Sequence, residues 1–253
     1  MIFQYCSDLH LEFPENKSFL KKTPLQTKGD ILLLAGDVIP FTAIEKHADF
    51  FNYVSDHFKH TYWIPGNHEY YHCDAAKKSG VLNEKTRSNV SLVNNTTIVH
   101  ENTKIIFSTL WSNISPAYEW DIERNVSDFQ VIKYNGFRFS SVQFNEFHRH
   151  SIDFIKQEIN KPHTGTTIVV THHVPTLLNY PAQYKNSNIN PAFAVELFDF
   201  IETSNIDYWI YGHHHINTPE FKIGNTTMLT NQVGYVQNNE HASFKTDAII
   251  EMA

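Results

Sequence analysis

The sequence predicts an α/β fold in which parallel strands carry the chemistry at their C-terminal ends. Three observations point to it. Ile31-Leu32-Leu33-Leu34-Ala35 is a continuous apolar run of strand length, the pattern of a strand buried on both faces. Ile44, Ala48, Phe51, Val54 and Phe58 recur at three- and four-residue steps, as on an amphipathic helix. Polar residues follow the strand-like runs, where α/β folds gather their ligands.

Taken in order, Ile2–Cys6 reads as a strand ending in Ser7-Asp8-Leu9-His10. Residues 14–28 are polar and read as a loop with a helical turn. The buried run from Ile31 ends in Gly36-Asp37, and the amphipathic helix leads to a third strand, Tyr62–Ile64, ending in Pro65-Gly66-Asn67-His68-Glu69. Residues 74–89 look helical but polar, and short β-like runs follow at Ser91–Val93, Thr97–Val99 and Lys104–Leu110. From Trp111 to Gly136 no period holds. Aromatic and charged residues interleave there, as in a lid or substrate wall, or in a surface Ω-loop packed by its own aromatics. Phe144 to Ile159 has helical spacing, Thr166–Thr171 is a strand ending in His172-His173, and residues 175–191 form a loop rich in Asn and Pro. Phe193, Leu197, Phe200 and Ile201 mark a helix before the strand Asp207–Tyr211, which ends in Gly212-His213-His214-His215. The tail holds strand-like pieces at Thr226–Thr230 and Ala248–Glu251. With no repeat or linker, residues 1–253 are expected to form a single domain.

At 253 residues, 41% hydrophobic and 19% charged, the chain can build a sizeable core. Its net charge of −7 argues against a broad nucleic-acid-binding surface. There is no apolar stretch of about 18 residues that would span a membrane. Two cysteines, Cys6 and Cys73, make no disulfide framework, and the start lacks a signal-sequence pattern. These features lead to the expectation of a cytoplasmic protein without a membrane partner.

Five polar clusters follow strands: Asp8/His10, Asp37, Asn67/His68, His172 and His213/His215. Carboxylates, an amide oxygen and imidazoles without thiolate suit Mn²⁺, Fe, Zn²⁺ or Ni²⁺, with Mn²⁺ the ion expected to support turnover in vitro. So many donors exceed one ion's needs, but a carboxylate can bridge two ions, and Asp37 at the end of the central strand is the natural bridge. Asp8 and His10 are two apart, on one face of extended chain. So are His213 and His215, with His214 turned away as a spacer. This is the layout of a two-metal site, with ions roughly 3.5–4 Å apart clamping a phosphoryl group. His173 is expected to face away like His214. Each histidine taken alone reads as an ordinary structural residue; it is their common placement at strand ends that points to metal.

In order, D-x-H, G-D, G-N-H-E, a histidine after a strand and G-H-x-H resemble the calcineurin-like metallophosphoesterase superfamily, over most of the chain from Asp8 to His215. The resemblance implies a four-layer α/β/β/α sandwich of the metallo-dependent phosphatase type. It implies one ion on Asp8, His10, Asp37 and His215 and another on Asp37, Asn67, His172 and His213. His68 would donate to phosphoryl oxygens or protonate the leaving group, and the implied reaction is in-line attack of metal-bound hydroxide on phosphorus.

One departure is informative. The Asp-Arg-Gly block of phosphoprotein phosphatases is absent, because Asp37 is followed by Val38-Ile39-Pro40-Phe41. That weakens a protein-phosphatase reading and leaves open what orients His68; Glu69 is expected to point elsewhere. Candidate substrate contacts are His68, Asn67, Arg124 and Asn125, with Asp128 and Asn190 beside them. Lys and Arg are sparse near the motifs, which favours a phosphodiester or small organic phosphate over an inositol polyphosphate; small phosphodiesters rank first because residues 111–136 and 175–191 could wall a compact aromatic-lined pocket. A phosphomonoesterase, a nucleotide pyrophosphatase and a non-catalytic binding scaffold are the alternatives.

Overall fold

Why the polar clusters meet follows from strand register. The computed structural model describes residues 1–251. Strands β1 (Ile2–Cys6), β2 (Ile31–Leu34) and β3 (His60–Trp63) run parallel, with Cys6 opposite Leu34 and Leu34 opposite Trp63. The strands thus end level, and Asp8, Asp37 and Asn67 emerge along one edge. Helices α1 (Pro14–Lys22) and α2 (Ala48–His57) link them, and the antiparallel hairpin β4 (Leu82–Arg87) and β5 (Val90–Asn94) follows. A second sheet begins with β6 (Thr96–His100) and β7 (Thr103–Phe107).

Two short helices, α3 (Glu119–Asn125) and α4 (Asp128–Val131), come next. They precede the small β8 (Lys133–Tyr134) and β9 (Phe137–Arg138) ribbon and the long helix α5 (Ser141–Ile159), which opens on a Ser140/Gln143 capping box. Strand β10 (Thr166–Val170), helix α6 (Phe198–Glu202) and β11 (Tyr208–Ile210), β12 (Phe221–Ile223), β13 (Thr226–Leu229) and β14 (Ile249–Glu251) complete the chain. The sheet orders are β14-β1-β2-β3-β5-β4 and β12-β13-β11-β10-β7-β6. In the second sheet Val170 lies opposite Phe107 and Ile210, and Ile210 opposite Leu229, so these ends are level too.

Phe3, Leu33, Tyr62, Phe107, Ile168 and Ile210 pack between the two sheets. Leu20, Phe51 and Val54 cover the outer face of the first, and Ile152, Ile155 and Ile201 that of the second. The fold is a four-layer α/β/β/α sandwich, as the resemblance implied. At its C-terminal edge Gly234 N–H donates to Asp8 O (3.0 Å) and Val233 N–H to Ser7 O (3.1 Å), locking one sheet's polar edge to the other's.

Several local expectations change. Residues 74–89 are not helical. They hold a single turn at Ala75–Lys77 and the edge strand β4, whose Asn83, Glu84 and Lys85 are exposed. A charged edge strand protects a sheet from foreign pairing, and its polarity hides it from a period-based reading. Residues 14–22 form a full helix, begun by Pro14 and ended by Lys21 and Lys22, whose charges suit its dipole. The irregular segment is not an Ω-loop packed by its own aromatics: it carries helices α3 and α4 and packs against aromatics beyond its end. Trp111 and Phe129 pack with Phe139 and Phe144, while residues 125–128 wall a cavity. Among the described residues no helix is long and apolar enough to cross a membrane.

Candidate metal centre

Five of the proposed ligands, Asp8, His10, Asp37, His213 and His215, have positive φ, between 46° and 78°. Such backbone costs about 1–3 kcal/mol per residue and persists where surrounding contacts over-determine it, commonly at functional sites. The side chains therefore converge because the chain coils after each strand. Extended-chain alternation does not hold at Asp8/His10 or at His213/His215; His214 belongs to neither donor group but lines the cavity that residues 125–128 wall. Its buried ring stands 2.9 Å from Gln232 Nε2, and Gln232 Oε1 accepts the N–H of His215 (2.8 Å). Gly212 permits this coil: a Cβ there would lie 2.4 Å from Asp8 Oδ2. At Gly66 a Cβ would lie 2.1 Å from Asp37 Oδ1.

Ligand atoms of Asp8, His10, Asp37 and His215 lie within 4.8 Å of one another, and so do those of Asp37, His172 and His213. His10 Nε2 and His215 Nε2 are 3.0 Å apart, and Asp8 Oδ1 is 3.3 Å from His215 Nε2. On the other side His172 Nε2 is 3.1 Å from His213 Nδ1 and 3.2 Å from Asn67 Oδ1. Asp37 Oδ2 faces both groups, at 3.7 Å from His10 Nε2 and 3.4 Å from His172 Nε2, while Oδ1 accepts His68 N–H (2.9 Å).

Outer-shell contacts fit metal ligation. His172 Nδ1 lies 2.9 Å from Ala35 O, His215 Nδ1 2.7 Å from Glu240 Oε2, and His10 Nδ1 3.2 Å from Glu12 Oε1. Each acceptor holds the proton on the outer nitrogen and turns the Nε2 lone pair inward, the arrangement that orients histidine ligands. Asn67 is oriented in the same way: its Nδ2 donates to Asp128 Oδ1 (2.8 Å), so Oδ1 faces His172. Glu69 does point elsewhere. It is buried and accepts from the N–H groups of Asp37, Val38, Ile39 and Gly66 and from Trp63 Nε1, tying the second block to the third.

Burial lowers the pKa of His215, but Asp8 and Glu240 outweigh it and push it up to about 10. Burial likewise lowers His172, and Asp37 and Asp8 carry it up to about 9. Both rings hold protons at pH 7 that a ligating imidazole must give up. Loading at pH 7 is therefore expected to release about two protons per chain, fading as pH rises through 9 to 10. Calorimetry in buffers of different protonation enthalpy measures this; zero release would mean that these rings are not ligands.

A cavity of about 310 Å³ opens onto both groups, lined by Asp37, Asn67, His68, Asn125, Ser127, Asp128, Asn190 and several aromatic rings. Arg124 is not among its lining residues; its guanidinium sits 4.4 Å over the exposed ring of Trp120. Asp128 lines the cavity, but one carboxylate oxygen is engaged by Asn67 and by Tyr71 OH (3.0 Å). His173 faces away, fully buried against Trp111 and Phe144.

Glu12, Tyr71, Tyr235 and Glu240 were not anticipated. Only Glu12 had a local signal, continuing the two-residue step of Asp8 and His10. Tyr235 packs 4.5 Å from His215 and 4.8 Å from His10, with its hydroxyl 3.3 Å from His68 Nε2.

Comparison with known proteins bears on the family and the fold. An uncharacterized protein of Acanthamoeba polyphaga mimivirus, L509, is 32% identical over 281 residues, covering 99% of this chain and 96% of that one. The crystal structure of the phosphopantetheinyl hydrolase PptH from Mycobacterium tuberculosis superposes with a TM-score of 0.69 at 16% identity, over 96% of this chain and 93% of that one. It shares the fold. The family model for calcineurin-like phosphoesterases matches residues 3–217, and the chain belongs to that family.

Proposed function

We propose that this chain hydrolyses small phosphodiesters at a dinuclear metal centre. Two divalent ions would be held by Asp8, His10, Asp37 and His215 and by Asp37, Asn67, His172 and His213; when bound they supply an activated water and neutralise phosphoryl charge. Mn²⁺ is the ion expected to support turnover with this oxygen- and imidazole-rich set. Asp37 Oδ2 keeps the two groups in register. His68 presents Nε2 to the cavity, where it protonates the departing ester oxygen or donates to a phosphoryl oxygen. Asn125 and Asn190 offer amides to the ester's outer group, and Tyr180, Tyr184 and Phe193 offer apolar faces.

The observation that carries the diester preference is the cavity lining. Outside the metal ligands it contains Asp128 and Glu240 but neither Lys nor Arg, so no side-chain cation adds to the two ions in balancing phosphate charge. A diester brings one negative charge. A monoester dianion or a pyrophosphate brings more, and repulsion from a carboxylate at roughly 4 Å costs about 1–4 kcal/mol. For the Mn²⁺-loaded protein, kcat/KM on bis(p-nitrophenyl) phosphate is expected to exceed that on p-nitrophenyl phosphate by at least ~10-fold. The reverse order would favour a phosphomonoesterase. No turnover of either ester by protein shown to hold two ions would favour a binding scaffold, a reading that the retained ligand set opposes.

A further inference from the structure

The geometry points to Glu12, on the extension of the first strand, as the residue that positions His68. This rests on the phosphodiesterase reading only for its consequence in turnover. Glu12 Oε1 lies 2.9 Å from His68 Nδ1 and 3.2 Å from His10 Nδ1. Its Oε2 is buried without a hydrogen-bond partner, so the carboxylate's contacts are made through the oxygen shared by the two imidazoles. A carboxylate can only accept, so His68 must carry its proton on Nδ1, leaving Nε2 to meet the cavity. Tyr71 stacks on the same ring, with centroids 4.0 Å apart and planes 24° from parallel, and its hydroxyl is anchored on Asp128. His68 is thus held along one edge by Glu12 and across one face by Tyr71.

The chemistry needs that constraint. To give a proton to a departing oxygen, His68 must be an imidazolium at the moment of bond cleavage, with Nε2–H aimed at that oxygen. Afterwards it must regain the proton on Nε2. A fixed carboxylate on Nδ1 forbids the tautomer in which Nε2–H persists in the neutral ring. Glu12 does not line the cavity, so it acts through His68 and not on the substrate.

The test compares wild type, Glu12→Gln, His68→Ala and the double variant, Mn²⁺-loaded, on phosphodiesters with good and poor leaving groups. Glu12→Gln is expected to lower kcat ~10–100-fold on the poor leaving group, the loss typical when a ligand's supporting partner is removed. The effect on the good leaving group and on KM should be small. In the His68→Ala background the same change should add less than ~2-fold, the signature of two residues acting as one unit. Equal losses in both backgrounds overturn the proposal. So does a drop in bound metal that extra Mn²⁺ reverses together with activity, since Glu12 would then act through His10. If wild type turns over no ester, the phosphodiesterase reading fails, but the positioning claim is still decided by ¹⁵N imidazole spectra of the Zn²⁺-loaded protein. They should place the His68 proton on Nδ1 in wild type and redistribute it in Glu12→Ala, which leaves no acceptor there; an unchanged tautomer overturns the proposal.

Discussion

Asp37→Asn is expected to strip both ions and lower kcat/KM at least ~10³-fold, beyond the 10²–10³ typical of losing one group that stabilises transition-state charge. The substitution is nearly isosteric, and a retained amide oxygen can still accept the His68 N–H that Oδ1 now holds at 2.9 Å. What it changes is the atom at Oδ2. That position faces His10 Nε2 at 3.7 Å and His172 Nε2 at 3.4 Å, and an NH₂ there presents hydrogens where an oxygen would serve both ions. Metal analysis beside a bis(p-nitrophenyl) phosphate assay decides it. Full occupancy of both positions with a tenth or more of the activity would show that Asp37 is no bridge.

Glu69→Gln should be as damaging to the fold as Asp37→Asn is to the centre. Burial and the Asp37 carboxylate push the Glu69 pKa up, yet its hydrogen-bonding neighbours are all donors. Gly66 and Asp37 N–H reach Oε2 at 2.6 and 3.0 Å; Val38 N–H, Trp63 Nε1–H and Ile39 N–H reach Oε1 at 2.7, 3.1 and 3.3 Å. An amide has one oxygen, so either orientation turns an NH₂ toward N–H groups and leaves two or three buried donors unpaired. At about 1–3 kcal/mol for each orphaned group, a loss of roughly 3–5 kcal/mol is expected. For a chain of this size that lowers the melting temperature by roughly 6–20 °C. A scanning-calorimetry melt within ~2 °C of wild type would show that the site relaxes around the amide.

How much of this could be read beforehand differs by residue. Asp8, His10, Asp37, Asn67, His172, His213 and His215 were legible because each follows a strand whose apolar run is local and unmistakable. Strand β4 was not, since Asn83, Glu84 and Lys85 are exposed on both faces and leave no alternation to read; they look like any solvated helix. The left-handed turns at five ligands were hidden as well. They are imposed by contacts such as His213 N–H to Asp8 Oδ1 (3.0 Å), between residues far apart in the chain. The two-residue spacings pointed to the right partners by way of an extended geometry that the chain does not adopt.

By itself, the sequence determined the layered α/β class and singled out the candidate ligand residues, because strand periodicity and donor type are properties of short stretches. Only the tertiary structure decided how the donors are aimed: Glu12 against His68, Glu240 behind His215, Asp128 on Asn67 and Glu69 beneath Asp37. A carboxylate serves as an acceptor from any point in the chain that folding brings within about 3 Å, and no local pattern encodes that approach.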